Sequence, residues 1–166
     1  MEEANSESIH IALANIQGLI TRKKNKCKFV RDVTKDTACK HQIIVLTETW
    51  TKDNYEQEIT EHFKDYNMLP TDRKYNAEVD DPDQIKSGGG TLVLTSPDIT
   101  ITPTEGSFSN GNCEVTIADL PTINTLVIAM YYPSGKNFSL AKYSDAMTRI
   151  RTYQGGTQGK AHSTHG

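Results

Sequence analysis

A glutamate at the end of an apolar run is the side chain in this sequence best suited to bind a metal ion. Residues 43–46 are apolar, and three of the four are β-branched, which is typical of a strand buried on both faces. Glu48 follows where such a strand would end. Carboxylates are natural ligands of Mg²⁺, which takes one or two of them and keeps waters or phosphate oxygens in its other positions. On this stretch alone, a solvated acid before a helix is the simpler interpretation.

Two side-chain amides, Asn15 and Gln17, follow an earlier predicted strand. Residues 9–14 alternate between large apolar side chains and small or polar ones, a period typical of a strand, and residues 25–38 fit a helix. A strand–helix–strand order implies a parallel pair with a right-handed crossover. Because parallel neighbours bring their carboxyl ends to one edge of a sheet, we expect Asn15, Gln17 and Glu48 to converge there.

The remaining pattern predicts a mixed α/β domain. Further strands are expected at 66–73, 91–94, 99–102, 113–117 and 126–132, and further helices at 55–63 and 140–150. The strands at 43–46 and 126–132 are apolar on both faces, so one face of each expects a partner sheet. Three glycines at 88–90 lack the Lys-Ser/Thr of a P-loop, and a close approach of their backbone to a neighbour, or a bulge, explains them. Acidic residues at 80–83 are most simply a solvated loop.

Composition limits the function classes. The chain has 166 residues, enough for one domain with a real core, and a net charge of −3, which gives no overall attraction to nucleic acid. Five basic residues cluster at 22–28; they could meet phosphates, but a solvated helix start is the simpler interpretation. Three widely spaced cysteines without a C-x-x-C pair predict neither a disulfide framework nor a zinc site, and they favour a reducing compartment.

The two ends of the chain differ from its middle. Residues 1–8 are polar and acidic, which predicts a disordered N-terminus and no signal peptide. Residues 9–151 are expected to form the domain, and residues 152–166, rich in glycine and without periodicity, predict a disordered tail. No apolar run approaches the roughly 20 residues that cross a bilayer. We therefore expect no membrane contact and an intracellular location, in the nucleus or the cytoplasm.

Four short motifs occur in order along the chain: Asn15-Ile-Gln-Gly-Leu, Leu46-Thr-Glu-Thr-Trp, Ser87-Gly-Gly-Gly-Thr and Met130-Tyr-Tyr-Pro-Ser. Together they resemble the endonuclease/exonuclease/phosphatase superfamily, and most of all the apurinic-type endonuclease domain of non-LTR (LINE-like) retrotransposons. The resemblance covers roughly residues 9–151. It implies an α/β fold, a truncated four-layer α/β/β/α sandwich, and Mg²⁺-dependent cleavage of a phosphodiester, with Mn²⁺ as a substitute. In the retrotransposon group that reaction is a nick in target DNA.

The resemblance also assigns roles to individual residues. Glu48 matches the metal-binding glutamate of the family, and Asn15 matches the asparagine at the metal and phosphate site. Tyr131 matches the tyrosine that approaches the scissile phosphate. Gln17 falls where many relatives carry Asp or Asn, and because an amide supplies no charge, a metal role for Gln17 is not expected.

Two motifs of the family do not occur in these 166 residues. They are a Gly-Asp-x-Asn strand end, which positions the attacking water and leaving group, and a terminal Ser-Asp-His, which holds the base. Domains of this kind run to roughly 200–250 residues, so about a third is expected to be missing. Since losing one member of a catalytic unit costs nearly as much rate as losing all of it, turnover should be poor or absent.

Two functions remain open on the sequence. The first is the N-terminal portion of a Mg²⁺-dependent phosphodiesterase, a retrotransposon-type DNA endonuclease; relatives acting on inositol lipids, sphingomyelin or poly(A) share its core motifs. The second is a non-catalytic remnant that at most binds nucleic acid weakly or a protein partner. In either case an uncovered apolar sheet face would drive self-association, and DNA binding would be weak or lost.

Overall fold

The structure is a computed structural model and describes residues 8–21, 24–35, 42–50, 56–72, 89–109, 113–132 and 139–161. The strands are β1 (Ile11–Asn15), β2 (Ile20–Thr21), β3 (Lys24–Asn25), β4 (Ile43–Thr47), β5 (Asn67–Thr71), β6 (Thr91–Thr95), β7 (Thr102–Pro103), β8 (Phe108–Ser109), β9 (Glu114–Leu120) and β10 (Thr125–Tyr131). The α-helices are α1 (Cys27–Lys35), α2 (Glu56–His62) and α3 (Leu140–Ala161).

The first sheet has the strand order β1-β4-β6-β5. β1 and β4 are parallel and joined through α1, as the strand–helix–strand pattern predicts, whereas β4–β6 and β6–β5 are antiparallel. The pairing sets one row of residues across the sheet at the carboxyl ends of β1 and β4, namely Asn15, Thr47, Thr91 and Thr71. This row is polar, whereas the rows further from this edge are mostly apolar.

The second sheet has the order β10-β9-β7, with β8 also paired to β9. It packs face to face on the first sheet, because Val45 and Val93 of the first sheet and Ala118 and Ala129 of the second belong to one buried cluster. The alternation within β9 and β10 turns their other faces toward α3. The sequence prediction of a partner sheet behind the apolar strands is confirmed.

Helices cover the outer face of each sheet. On the first sheet, Ile44 and Leu46 pack with Val30 of α1 and with Ile59 and Phe63, in and just after α2. On the second sheet, α3 supplies a further group of core residues, the buried Ala146 and Ile150 and the partly buried Met147. The result is a four-layer α/β/β/α arrangement, the predicted fold class.

Helix α3 is longer than the sequence pattern indicates. The apolar face was expected to end at Ile150, with a tail after Arg151, but the helix continues to Ala161. Tyr153 belongs to the outer core, and its ring lies so close to Gly106 that a Cβ on that glycine would be 2.7 Å from it. The division of the chain into residues 1–8, 9–151 and 152–166 remains a prediction.

Several expectations shift or fall outside the described residues. The strand expected at 99–102 is reduced to the two residues of β7, Thr102–Pro103. The strand expected at 66–73 is shortened to β5, Asn67–Thr71, which lies at the edge of the first sheet and therefore tolerates Pro70. The acidic loop at 80–83 and Cys39 lie outside the described residues.

The inner face of the first sheet is uncovered at its edge strand β1. Ile11 and Leu13 of β1 face the same side as Ile43 and Val45, yet they are 57% and 74% exposed. In the second sheet, β10 has no strand on the side away from β9 within the described part of the chain. In the part of the chain that the structure describes, no helix is long and apolar enough to cross a membrane.

Candidate active site at the strand ends

Asn15 and Glu48 are in direct contact. The Asn15 Nδ2 group donates a hydrogen bond of 3.1 Å to Oε1 of Glu48. The contact follows from the parallel register, in which Asn15 pairs with Thr47 and the Ile16 N–H donates to the Thr47 carbonyl at 2.9 Å. The Asn15 amide therefore orients the Glu48 carboxyl group. Because Glu48 is only half-buried, it remains accessible from solvent.

We call the place where Asn15 and Glu48 meet, at the carboxyl ends of β1 and β4, the corner. Gln17 reaches this corner through its backbone. Its N–H donates to Oδ1 of Asn15 at 3.3 Å, which leaves Asn15 Nδ2 directed at Glu48 and fixes the orientation of the amide. The Gln17 side chain is exposed, and no hydrogen bond joins it to Glu48 within the described residues. The Gln17 backbone thus orients Asn15.

Unusual backbone conformations concentrate at this corner. Four non-glycine residues of the described chain have positive φ, and three of them lie here: Gln17 at 48°, Glu48 at 53° and Trp50 at 53°. The fourth, Asn124, follows a short 3₁₀ helix. Such conformations cost roughly 1–3 kcal/mol each and persist where surrounding contacts hold them, which is common at functional sites.

The corner is held by hydrogen bonds between the two strand ends and by bonds from Lys26 to the turn after β1. Gly18 N–H donates to the Glu48 carbonyl at 2.7 Å, and Leu19 N–H donates to the Thr49 carbonyl at 2.8 Å. The Lys26 ammonium donates to the carbonyl of Ile16 at 2.5 Å and to that of Gln17 at 3.0 Å. Lys26, one of the five clustered basic residues, is thus engaged in holding the turn.

The glycine run touches the corner from the other side. Thr49 N–H donates to the Gly90 carbonyl at 3.3 Å, and Trp50 N–H donates to the Gly89 carbonyl at 3.0 Å. A Cβ on Gly90, whose φ is 85°, would be 2.5 Å from Oγ1 of Thr49. Close approach of the backbone to a neighbour, one of the two explanations offered by the sequence, is therefore the correct one for Gly90.

Tyr131 lies at the same end of the sandwich. It is the last residue of β10, is half-buried, and pairs with Glu114 of β9. Like Ala129, two residues earlier, it is on the β10 face that is turned toward the first sheet. Asn15, Glu48 and Tyr131 thus all lie at the edge formed by the carboxyl ends of their strands, and their chemical roles remain predictions.

Sequence reasoning missed a buried polar layer beneath this edge. Thr116 of β9 forms hydroxyl–hydroxyl bonds of 2.5 Å to Thr91 and 2.6 Å to Thr71, and Glu114 is fully buried two residues earlier. The signal was available, since polar residues at alternate positions of β9 interrupt an otherwise apolar strand. These polar residues of β9 mark the end of the inter-sheet core that lies beneath the edge with Asn15 and Glu48.

The donor set at the corner suits a hard cation held by few protein groups. Glu48 offers a carboxyl group, and Mg²⁺ accepts such a ligand while it keeps waters elsewhere. Within the described residues, no three His, Cys, Asp or Glu side chains are grouped as a metal cluster would require. Cys27 is a poor alternative ligand, because burial, and secondarily the charge of Glu58, raises the pKa of its thiol to about 12.

Comparisons with known proteins agree with this architecture. No protein-family model matches the chain, and no curated protein sequence matches it at a significant level. Solved structures do match. One is the endonuclease domain of TRAS1, a telomere-specific non-LTR retrotransposon, with a TM-score of 0.50 and 10% identity over 86% of this chain. Another is the human Nocturnin catalytic domain with bound sulfate anion, with a TM-score of 0.52 and 12% identity over 89% of this chain.

Both of these structures have endonuclease/exonuclease/phosphatase-type folds, and the present chain has the same fold. The chain spans 53% of the length of the TRAS1 domain and 59% of that of the Nocturnin domain. At this level of identity the likeness is one of fold.

Proposed function

We propose that this chain is the N-terminal portion of a Mg²⁺-dependent phosphodiesterase that nicks DNA in the manner of a retrotransposon-type endonuclease. The observation that carries the proposal is the Glu48 carboxyl group, oriented by the Asn15 amide where two parallel strands end. The fold supports a nuclease or phosphodiesterase class, and the TRAS1 endonuclease domain favours DNA as the substrate. With DNA as the substrate, the protein would be located inside the cell, in the nucleus or the cytoplasm.

Each residue has a task that fits its chemistry. Bound Mg²⁺ would neutralise charge on the phosphate as water attacks. Glu48 would hold the ion, and Asn15 would keep the Glu48 carboxyl group in one orientation while its own amide stays close to the ion. The Tyr131 phenol would donate a hydrogen bond to a phosphate oxygen and hold the group in line. The base and the water-positioning pair must come from residues that these motifs do not include.

Metal binding gives the direct test. The chain should bind Mn²⁺ weakly in calorimetry, since Glu48 supplies the one carboxyl group that the family motifs place at the corner, and Glu48→Gln should abolish the binding. Asp119→Asn is the matched control, because Asp119 is an exposed acid on β9 and the substitution removes the same charge. Equal Mn²⁺ affinity in the wild type and in Glu48→Gln would refute the assignment.

A second candidate function rests on the uncovered face of β1. A non-catalytic remnant would use this face to bind a protein partner or a second copy of the chain. Ile11 and Leu13 of the edge strand β1 are 57% and 74% exposed, and Ile9, just before the strand, is 40% exposed. We call these three residues the apolar stripe. Exposed apolar patches of this kind favour association, and free strand edges add backbone hydrogen bonds to it.

Charge on this stripe should oppose association. Leu13→Lys is expected to reduce self-association in sedimentation velocity, because burial of an unpaired charge at an apolar interface is unfavourable. Leu140→Lys is the control, since Leu140 is 71% exposed at the start of α3, away from the stripe. If both variants associate to the same extent as the wild type, the β1 face is not an interaction surface.

A further inference from the structure

Glu114 is a fully buried acidic residue that none of the family motifs includes. It starts β9, and its relative exposure is 0%. Its Oε2 accepts a hydrogen bond of 3.3 Å from the N–H of Gly90. Burial of a carboxyl group is unfavourable unless hydrogen bonds compensate for it, so a fully buried acid at this end of the sandwich calls for a specific reason.

The partner of Glu114 leads directly to the candidate site. Gly89 and Gly90 accept hydrogen bonds from the backbone N–H groups of Trp50 and Thr49. Thr49 and Trp50 directly follow Glu48 in the sequence. A continuous series of hydrogen bonds therefore runs from the second sheet, through the glycine backbone, to the strand end that carries Glu48.

We propose that Glu114 is a positioning residue that fixes the Gly89–Gly90 backbone and, through it, the conformation of Glu48. The inference rests on the proposed function for what Glu48 binds, but the positioning itself is independent of any ligand. Glu114 also pairs with Tyr131 in the backbone register of β9 and β10, so the residue that bonds to Gly90 is the strand neighbour of the predicted phosphate contact.

Physical reasons make this link necessary. Glycines at φ of 81° and 85° have wide conformational freedom, and Gly89 and Gly90 keep these values only where neighbours hold them. Glu48 itself sits at φ 53°, a conformation that its surroundings must maintain. Without an acceptor at Glu114, the Gly90 N–H would be buried without this partner, and the glycine segment would shift to find another one.

Three variants separate positioning from general stabilisation. Glu114→Gln keeps an acceptor oxygen at the same reach, whereas Glu114→Leu removes it. Thr116→Val is the control, because Thr116 lies two residues along the same face of β9 and is also fully buried, but its hydroxyl bonds to Thr91 and Thr71. If Glu114→Leu does not fold, Glu114→Asp replaces it, since the shorter side chain withdraws the acceptor oxygen and keeps the carboxyl group.

The readouts report on the corner itself. Trp50 is the only tryptophan of the chain, so intrinsic fluorescence reports on the residue that is bonded to Gly89. Hydrogen exchange of the Thr49 and Trp50 amides measures the same bonds without any ligand. Calorimetry with Mn²⁺ measures the consequence at Glu48.

We expect Glu114→Leu to shift the Trp50 emission and to speed exchange at Thr49 and Trp50 by roughly tenfold or more, the size expected for one lost buried hydrogen bond. Mn²⁺ affinity should fall by about tenfold, as for other residues that orient metal ligands. For Glu114→Gln, the exchange rates and the Mn²⁺ affinity should stay within about threefold of the wild type, and the Trp50 emission should not shift. Thr116→Val should leave the emission and the metal affinity unchanged.

Different outcomes overturn different statements. If Glu114→Leu, or Glu114→Asp in its place, keeps wild-type exchange and emission, Glu114 is not a positioning residue. The proposal also fails if Thr116→Val has the same effects on the corner, since general loosening would then explain them. If the wild type binds no Mn²⁺, the proposed function fails, while exchange and emission still decide the role of Glu114.

Discussion

Joined to a C-terminal segment of the family type, one that carries Gly-Asp-x-Asn and Ser-Asp-His, the chain should nick supercoiled plasmid in Mg²⁺, and Glu48→Gln should lower the rate by roughly 10²–10³-fold. The 166 residues by themselves should give no nicking above background. General-base help contributes roughly 10²–10⁴-fold, and a preorganised charge partner contributes about 10²–10³-fold. A chain with Glu48 but without these two motifs lacks both contributions.

Contaminating nucleases are the main source of error in this assay, so the decisive comparison uses variants purified in parallel. Glu48→Gln is compared with Asp119→Asn, which removes the same charge from an exposed position of β9. Only Glu48→Gln should lose the activity. If the unextended chain nicks DNA and its Glu48→Gln variant does not, the missing catalytic groups are present among residues outside the recognised motifs. The inference that this chain carries only part of the catalytic site would then be wrong.

Sequence reasoning predicted that Asn15 and Glu48 lie at one edge of the sheet, because this convergence depends on a simple property of parallel strands. Once residues 9–14 and 43–46 are strands joined by a helix, their carboxyl ends must meet, and the polar residues that follow must be neighbours. The apolar character of β4 on both faces likewise required two covering layers, which the structure provides.

The details of the corner were not predictable in the same way. The positive φ values of Glu48 and Trp50 are maintained by hydrogen bonds from Gly18 and to Gly89, and nothing in the local sequence indicates these distant partners. The burial of Glu114 depends on which face of β9 meets the first sheet. That choice is a property of the assembled sandwich, since a strand pattern gives the alternation of faces but not their assignment.

The shortened strand at 99–102 has a local cause that only the structure reveals. The carbonyl of Ile99 accepts hydrogen bonds from the Thr95 hydroxyl at 2.7 Å and from the Asn67 amide at 2.8 Å. Because side chains take this carbonyl, residue 99 belongs to a turn, and strand pairing starts only at Thr102. Apolar β-branched residues predicted a strand there, and side-chain hydrogen bonds from two other segments prevented it.

Gly90→Ala should be among the most destabilising single substitutions in the described chain, with a loss of roughly 2–5 kcal/mol in the free energy of unfolding. A left-handed φ costs an alanine roughly 1–2 kcal/mol. A Cβ placed 2.5 Å from Thr49 Oγ1 adds steric repulsion, and overpacking of this kind typically costs about 1–3 kcal/mol. The loss is large beside the roughly 5–15 kcal/mol by which domains are stable, and urea titration measures it.

Two comparisons isolate the steric part of the loss. Gly18→Ala places an alanine at the same φ of 85° and serves as the reference for the cost of that backbone conformation. In a double-mutant cycle, Thr49→Ala removes the atom that the new Cβ would meet, so the double variant should recover a large part of what Gly90→Ala loses. If Gly90→Ala costs no more than Gly18→Ala and shows no coupling to Thr49→Ala, the glycine is not required by close approach to the strand end.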